Sequence, residues 1–298
     1  MIKILAIVVT YNGMEWIDRC LGSLLCSTLR PDVFVVDNGS TDGTKEYIRS
    51  HFPKVIFRQN ETNLGFGRAN NIGLRFALEG GYSHIYLMNQ DAWVETDTLE
   101  KLVDLSERFP EYGVLSPFQM ESGGIRMDRR FIFNVCHRNL ELMDDLYSGK
   151  LKEIYPVPNI MAAHWLLTRK AIETVGGFSP SFPHYGEDAN YSDRLKFRGL
   201  KLGIVPESKA VHERGDRVNS NKKEIYISAM NLISEISVPS RSSAFALSHA
   251  FKRLCIDDVL AYCSLKPIHW FFYILFHYPS ILKNKRVSEK ELTAFLNN

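Results

Sequence analysis

The sequence has no C-x-x-C pair and only five cysteines, an odd number, scattered at Cys20, Cys26, Cys136, Cys255 and Cys263. Disulfide frameworks and zinc sites need clustered or regularly spaced thiols, so neither is expected. Isolated thiols suit a reducing compartment, and the cytoplasm is the expected location. Charge of one sign is missing too. The 36 Lys and Arg residues against 34 Asp and Glu leave a net +2, which gives no global field toward nucleic acid, and no such partner is expected. No apolar stretch approaches the ~20 residues that cross a bilayer. The opening run MIKILAIVVTYNG stops at Thr10-Tyr11-Asn12 and lacks a small-residue cleavage site, so it reads as a buried first strand rather than a signal peptide. Internal repeats and low-complexity segments are absent as well. A dinucleotide fold would carry its glycine fingerprint after the first strand. TYNGMEW stands there, with one glycine and no cation. That lack counts against a dehydrogenase, and also against a nucleotidyltransferase gripping a triphosphate at that turn.

What is present is an ordinary globular composition, 45% hydrophobic and 23% charged over 298 residues, enough to bury a substantial core. Ile4 to Val9 is a near-continuous β-branched run, the mark of a parallel strand covered on both faces. Apolar residues at helical spacing follow from Met14 to Leu25. Val33 to Val36, Val55 to Phe57 and Ile85 to Met88 read as further strands, alternating with helices at Thr44 to His51, Arg68 to Leu78 and Asp97 to Arg108. This alternation means βαβ units and an α/β domain with a parallel sheet. Beyond Gly113 it loosens: VLSPFQ and NIMAAHWLLT read as strands, Arg169 to Val175 as a short helix and KLGIVP as a last strand. From about Asn219 the pattern is helical to the end.

In open α/β sheets, ligands bind beyond the carboxyl ends of the strands. The residues in those places are Thr10-Tyr11-Asn12, Asp37, Asn60 to Gly67 and Asn89-Gln90-Asp91. All four groups are polar. Taken singly, Asp37 in DNGS also suits a turn or cap, and Asp91 equally suits helix capping.

Taken together, IVVTYNG, VFVVDNGSTDGT, NLGFGRANNIGL, LMNQDAWV and GGFSPSFPHYGEDANYSDRLKFRGLKLG resemble, in order and spacing, the inverting glycosyltransferases of family 2. Their catalytic domain is the GT-A fold, Rossmann-like with a mostly parallel central sheet flanked by helices. The resemblance covers roughly residues 1 to 215 and is greatest to the rhamnosyltransferase-like branch that assembles bacterial surface polysaccharide. It implies a catalytic domain over residues 1–218, with nucleotide-sugar binding in 1–112 and the acceptor part in 113–218. A helical extension would follow over 219–298.

The resemblance also implies roles. A nucleoside-diphosphate sugar, UDP- or dTDP-linked, would be the donor, and a glycan or lipid-linked hydroxyl the acceptor. Mg²⁺ or Mn²⁺ would sit at Asn89-Gln90-Asp91, where Asn89 departs from the usual carboxylate and Asp91 is left as the full charge. His212 is a further candidate ligand, or else a structural histidine. Asp37 falls where relatives accept the imide N–H of a pyrimidine base, with Thr10, Tyr11 and Asn12 lining the same pocket. Asn63 and Arg68 would approach the base or diphosphate. Asp188, in the Gly186-Glu187-Asp188 motif, would be the general base, with Glu187 bonding the acceptor or bracing the helix start. His164 and Trp165 would narrow the acceptor site, and His184 and Tyr185 would stack on sugar or pack. A non-catalytic subunit that binds nucleotide sugars on the same fold is the alternative.

The tail pairs the aromatics of IHWFFYILFHYPSILKNKR with Lys266, Lys283, Lys285 and Arg286. Three partners suit it equally: a membrane surface, the catalytic domain, or a second copy in a homodimer.

Overall fold

The computed structural model describes residues 2–213 and 220–296, with Arg138 described by its backbone alone. The expected boundary between residues 218 and 219 lies outside the described residues. In chain order the first elements are β1 (Ile4–Thr10), α1 (Ile17–Leu25), β2 (Asp32–Asp37), α2 (Thr44–His51), β3 (Ile56–Gln59), α3 (Phe66–Glu79) and β4 (His84–Asn89). Then come β5 (Ala92–Val94), α4 (Thr98–Arg108), β6 (Tyr112–Met120), α5 (Arg129–Asn134), α6 (Leu140–Ser148), β7 (Tyr155–Val157), β8 (His164–Thr168), α7 (Arg169–Val175), α8 (Glu187–Phe197) and β9 (Lys201–His212). The C-terminal helices are α9 (Asn221–Ser237), α10 (Ser243–Lys252), α11 (Asp258–Tyr262) and α12 (Lys266–Lys290).

One sheet holds the nine strands of the described residues, in the order β3-β2-β1-β4-β8-β6-β9-β5, with β7 also on β9. β3, β2, β1 and β4 run parallel, as do β6 and β9, while β8 runs antiparallel between β4 and β6. The β-branched run of β1 is buried on both faces, as its composition requires. Ile4, Ala6 and Val8 pack with α1 and α4, and Leu5 and Ile7 pack with α3, the two-residue alternation of a strand. On α1 the buried residues Ile17, Cys20, Leu21 and Leu24 recur at helical spacing and form the stripe that meets the sheet. Leu5 is completely buried, and truncating such a leucine to alanine costs about 2–5 kcal/mol.

Register aligns the strand ends that matter. Thr10 pairs with Asp37, and Val9 with Asn89, so β1, β2 and β4 deliver polar residues to one rim. β9 is longer than KLGIVP suggests and ends on His212, paired with Ala92 of β5. The rim is thus closed by a strand from the far end of the domain.

The C-terminal helices form a third core. Ala229, Met230, Ile233 and Ile236 of α9 pack with Ala246 and Ala250 of α10 and with Ile274 and Ile281 of α12, and Phe182 joins them from the catalytic part. Among the described residues, no helix is long and apolar enough to cross a membrane. The chain then returns to the sheet domain, where the Gly177 amide donates to the Ala294 carbonyl at 2.8 Å.

Candidate active site

The first group of candidate residues sits on the loops after β1 and β2. Asp37 is fully buried, and its carboxylate is occupied by its own surroundings. Oδ1 accepts from the Thr10 hydroxyl at 2.9 Å and from the Ser40 hydroxyl, and Oδ2 accepts from the amides of Gly39 and Ser40 at 3.2 and 3.0 Å. Asp37 therefore organises the turn, and a pyrimidine imide reaches it only by displacing one of these bonds. Asn12 sits at φ 49°, a left-handed conformation that asparagine tolerates. Its Oδ1 accepts from the Thr41 amide at 2.9 Å, and its amide donates to the Ser40 hydroxyl at 2.9 Å. Tyr11 leaves its ring exposed while its backbone is tied twice to Gln90, amide to Oε1 at 2.8 Å and carbonyl from Nε2 at 3.2 Å. Gln90 is thus the residue that fixes the β1 loop to the β4 turn. Its role rests on a long-range pairing, so the local sequence carries no signal for it.

The next group is built on β4, the turn after it, and β9. Nε2 of His212 lies 3.3 Å from Oδ1 of Asp91 and 3.3 Å from Nδ2 of Asn89. The Glu213 amide donates to the Asp91 carbonyl at 2.8 Å, locking the two segments together. Two donors held about 2.1 Å from one octahedral ion at right angles stand about 3 Å apart, so the Asp91–His212 spacing fits a small divalent ion. Among the described residues no group of three or more His, Cys, Asp or Glu gathers to hold a metal. An ion here would take its remaining oxygens from Asn89, water and ligand phosphate.

The third group is the acidic motif. Tyr185 and Gly186 have φ of 65° and 82°, and this left-handed pair turns the chain into α8. A Cβ on Gly186 would meet the Met230 carbonyl at 3.0 Å and the Phe182 ring at 3.1 Å. Glu187 and Asp188 then open α8, where carboxylates are favoured by the exposed amides of a helix start. Oδ1 of Asp188 accepts from the Ala189 amide at 2.8 Å. Glu187 is 7% exposed, and its Oε2 is buried without a hydrogen-bond partner. Burial first, and then the neighbouring Asp188 charge, push its carboxyl up to about 8.

Asn89 of the second group and Glu187 and Asp188 of the third line a cleft of about 890 Å³, together with Phe66, Tyr185 and Phe133. Its far wall is one face of α9, where Glu224, Ile227, Asn231, Ser234 and Val238 line it at helical spacing. Asp91 and His212 stand behind Asn89. Thr10, Tyr11, Asn12 and Asp37 lie at the neighbouring strand ends rather than in the cleft wall. Asn63 and Arg68 are exposed. The Asn63 Oδ1 accepts from the Gly65 amide at 2.9 Å, and Arg68 is on the first turn of α3.

One expectation is corrected. His164 and Trp165 do not narrow the acceptor site, because both are fully buried in the sheet. His164 bonds the Tyr86 hydroxyl at 2.8 Å and the Val211 carbonyl at 3.0 Å, and the Trp165 ring packs on Phe178 and Tyr191. Neighbours on β8 point to opposite faces of the sheet, and both faces are covered, so both rings are buried. His184 and Tyr185, by contrast, do line the cleft. Burial, and secondarily Lys223, lower the His184 pKa.

The glycines of NLGFG have a role that spacing alone does not reveal. Gly65 has φ +80°, and a Cβ there would stand 2.2 Å from the Pro183 carbonyl oxygen; one on Gly67 would stand 2.9 Å from Cβ of Phe178. Both glycines let the loop before α3 press against the segment that leads into Gly186-Glu187-Asp188.

A nine-stranded, mostly parallel sheet flanked by helices, with a helical C-terminal part and polar residues at one rim beside an acidic cleft, is the layout of the GT-A fold. The sequence model of "Glycosyl transferase family 2" matches residues 5–176, and the chain belongs to that family. It is 26% identical over 230 residues to an N-acetylglucosaminyl-diphospho-decaprenol L-rhamnosyltransferase of Mycobacterium tuberculosis, covering 70% of this chain and 75% of that one. It is 22% identical over 218 residues to the dTDP-rhamnosyl transferase RfbF of Shigella flexneri, covering 72% and 70%. Among solved structures, it is similar to a mannosyltransferase of Pyrobaculum calidifontis in complex with GDP-Man and Mn²⁺ (TM-score 0.60, 18% identity, 97% of this chain and 88% of that one).

Proposed function

We propose that the protein transfers a sugar, with inversion, from a UDP- or dTDP-linked donor to a hydroxyl of a glycan or lipid-linked acceptor in bacterial surface polysaccharide assembly. The observation that carries this reading is that Asn89, backed by Asp91 and His212, faces the same cleft as Asp188. The two rhamnosyltransferase relatives favour dTDP-rhamnose among the donors.

In this reading the nucleoside lies against Thr10, Tyr11, Asn12 and the turn that Asp37 holds, with Asn63 and Arg68 flanking the base or diphosphate. The acceptor occupies the cleft between the acidic motif and α9. Asp188 takes the proton of the acceptor hydroxyl, the oxygen attacks the anomeric carbon from the face opposite the diphosphate, and the bond to the diphosphate breaks. Glu187, buried behind it, carries its own proton at neutral pH, so Asp188 is not facing a second negative charge. A divalent ion, Mg²⁺ or Mn²⁺, held by Asp91, His212 and Asn89, would supply positive charge beside the departing diphosphate.

The test is a panel of UDP-, dTDP- and GDP-sugars screened for Mn²⁺-dependent protection against thermal unfolding, followed by donor hydrolysis and transfer assays. Stabilisation by one nucleotide class together with turnover supports the reading. Stabilisation with neither hydrolysis nor transfer would leave a binding subunit instead.

A further inference from the structure

α12 has two unlike faces. Trp270, Ile274, Tyr278, Ile281, Lys285 and Ser288 fall on one stripe and turn inward, packing on α9 and α10 or lying buried. The opposite stripe carries Phe272, Leu275, Phe276, Pro279, Lys283 and Arg286, all exposed, with Phe272 at 62% and Phe276 at 83%. Leu265 and Lys266 extend it at the helix start. The apolar part runs on to α10, because the half-exposed Phe251 ring lies 5.3 Å from Phe271, which lies 6.2 Å from Phe272. Contiguous exposed aromatics of this kind mark an interaction surface rather than scattered apolar residues.

Charge identifies the partner. Lys285 is turned inward to donate to the Ser243 hydroxyl, and the remaining cations of α12, Lys266, Lys283, Arg286 and Lys290, stand against a lone acid, Glu289, which is turned aside to accept from the Ser240 amide at 2.9 Å. A second copy meeting this face about a two-fold axis would lay the cationic stripe on itself. An anionic surface would not be repelled, and exposed aromatics beside cations suit the head-group region of a bilayer. We propose that the outer face of α12, extended by Phe251, docks on an anionic lipid bilayer, with the helix lying along the surface. Its inner face is joined to the active site: the Trp270 ring lies 5.0 Å from Tyr226, which lies 6.1 Å from Tyr185 beside the acidic motif. Docking would therefore hold the cleft close to the lipid surface.

The experiment is co-sedimentation of the full chain with vesicles of equal parts phosphatidylglycerol and phosphatidylcholine, and with phosphatidylcholine alone. Binding is expected to be about tenfold or more tighter to the anionic vesicles. The paired variant Phe272→Ser/Phe276→Ser is expected to weaken binding to both vesicle types by about tenfold or more. Lys283→Glu/Arg286→Glu should remove the preference for anionic lipid, and serves alone if the first pair fails to fold by circular dichroism. Absence of vesicle binding overturns the proposal. So does a concentration-dependent dimer that the phenylalanine variants dissociate, which would assign the face to a second copy. Transfer to a soluble acceptor is a separate readout, so failure here leaves the proposed reaction untouched.

Discussion

Nε2 of His212 and Oδ1 of Asp91 lie 3.3 Å apart, bringing the end of β9 to the turn after β4. Asn89, 123 positions from His212, meets the same nitrogen at 3.3 Å. Three strand-end residues thus share one point at the rim. An ion held there depends on Asp91 for its full negative charge. Asp91→Asn is therefore expected to weaken Mn²⁺-dependent thermal stabilisation in the presence of nucleoside diphosphate by about tenfold or more, and His212→Ala to act in the same direction. An Mn²⁺ titration that gave the same midpoint for wild type and both variants would remove these residues from any metal site.

Asp188 and Glu187 both line the cleft, but Glu187 is almost wholly buried. If Asp188 is the base, Asp188→Asn should lower kcat by about 10²- to 10⁴-fold with little change in KM or melting temperature. The comparison requires a steady-state assay with saturating donor. Full activity in that variant would refute the assignment.

Glu187 gives a pH prediction with a definite sign. Its carboxyl is raised from 4.5 to about 8 by burial and by Asp188, so between those values the folded chain binds a proton that the unfolded chain has released. Stability from this group is fully present below about pH 4.5 and is lost as pH rises to about 8. Glu187→Gln keeps the shape without the ionisation. The variant's melting temperature relative to wild type is therefore expected to climb from about pH 5 to about pH 8 and then level off. A difference that stays flat across the window would show that the Glu187 carboxyl titrates normally.

How far the sequence reveals this site depends on distance along the chain. β1 was legible because a strand buried on both faces must be apolar throughout, and the rim residues because such a strand has to end on polar ones. β5, three residues long, offers too few positions to show alternation, and α5 at six residues is barely longer. Asp37 taken alone in DNGS reads as a turn former before a ligand, and its hydrogen bonds show a carboxylate held by the turn. His164 and Trp165 are buried because both faces of β8 are covered by distant segments, which no local pattern encodes. Gly65 and Gly67 form only a short G-x-G in the sequence; their purpose appears when Pro183 and Phe178 are seen against them. The two faces of α12 follow from its spacing, but which one meets the domain does not.

The returning tail gives a last prediction, because it contacts the chain just before the acidic segment. Ala294 and Leu296 are buried. The Gly177 amide donates to the Ala294 carbonyl, and a Cβ on Gly176 would stand 2.1 Å from that same oxygen. Asn71 joins the two segments: its Oδ1 accepts from the Phe178 amide at 2.7 Å, and its Nδ2 donates to the Phe178 carbonyl at 2.9 Å and the Phe295 carbonyl at 3.5 Å. Truncating after Glu291 removes one buried leucine, worth about 1.5–3 kcal/mol, and backbone hydrogen bonds worth about 0.5–1.5 kcal/mol each. A loss of about 3 kcal/mol is expected in denaturant unfolding, with kcat falling as well, because Gly176 to Phe178 lead into Phe182 and the acidic motif. Leu296→Ala should reproduce the stability loss in part while leaving kcat nearly unchanged, since the backbone bonds remain. If truncation altered neither stability nor turnover, the tail would be a passenger on this surface rather than a brace for the acidic segment.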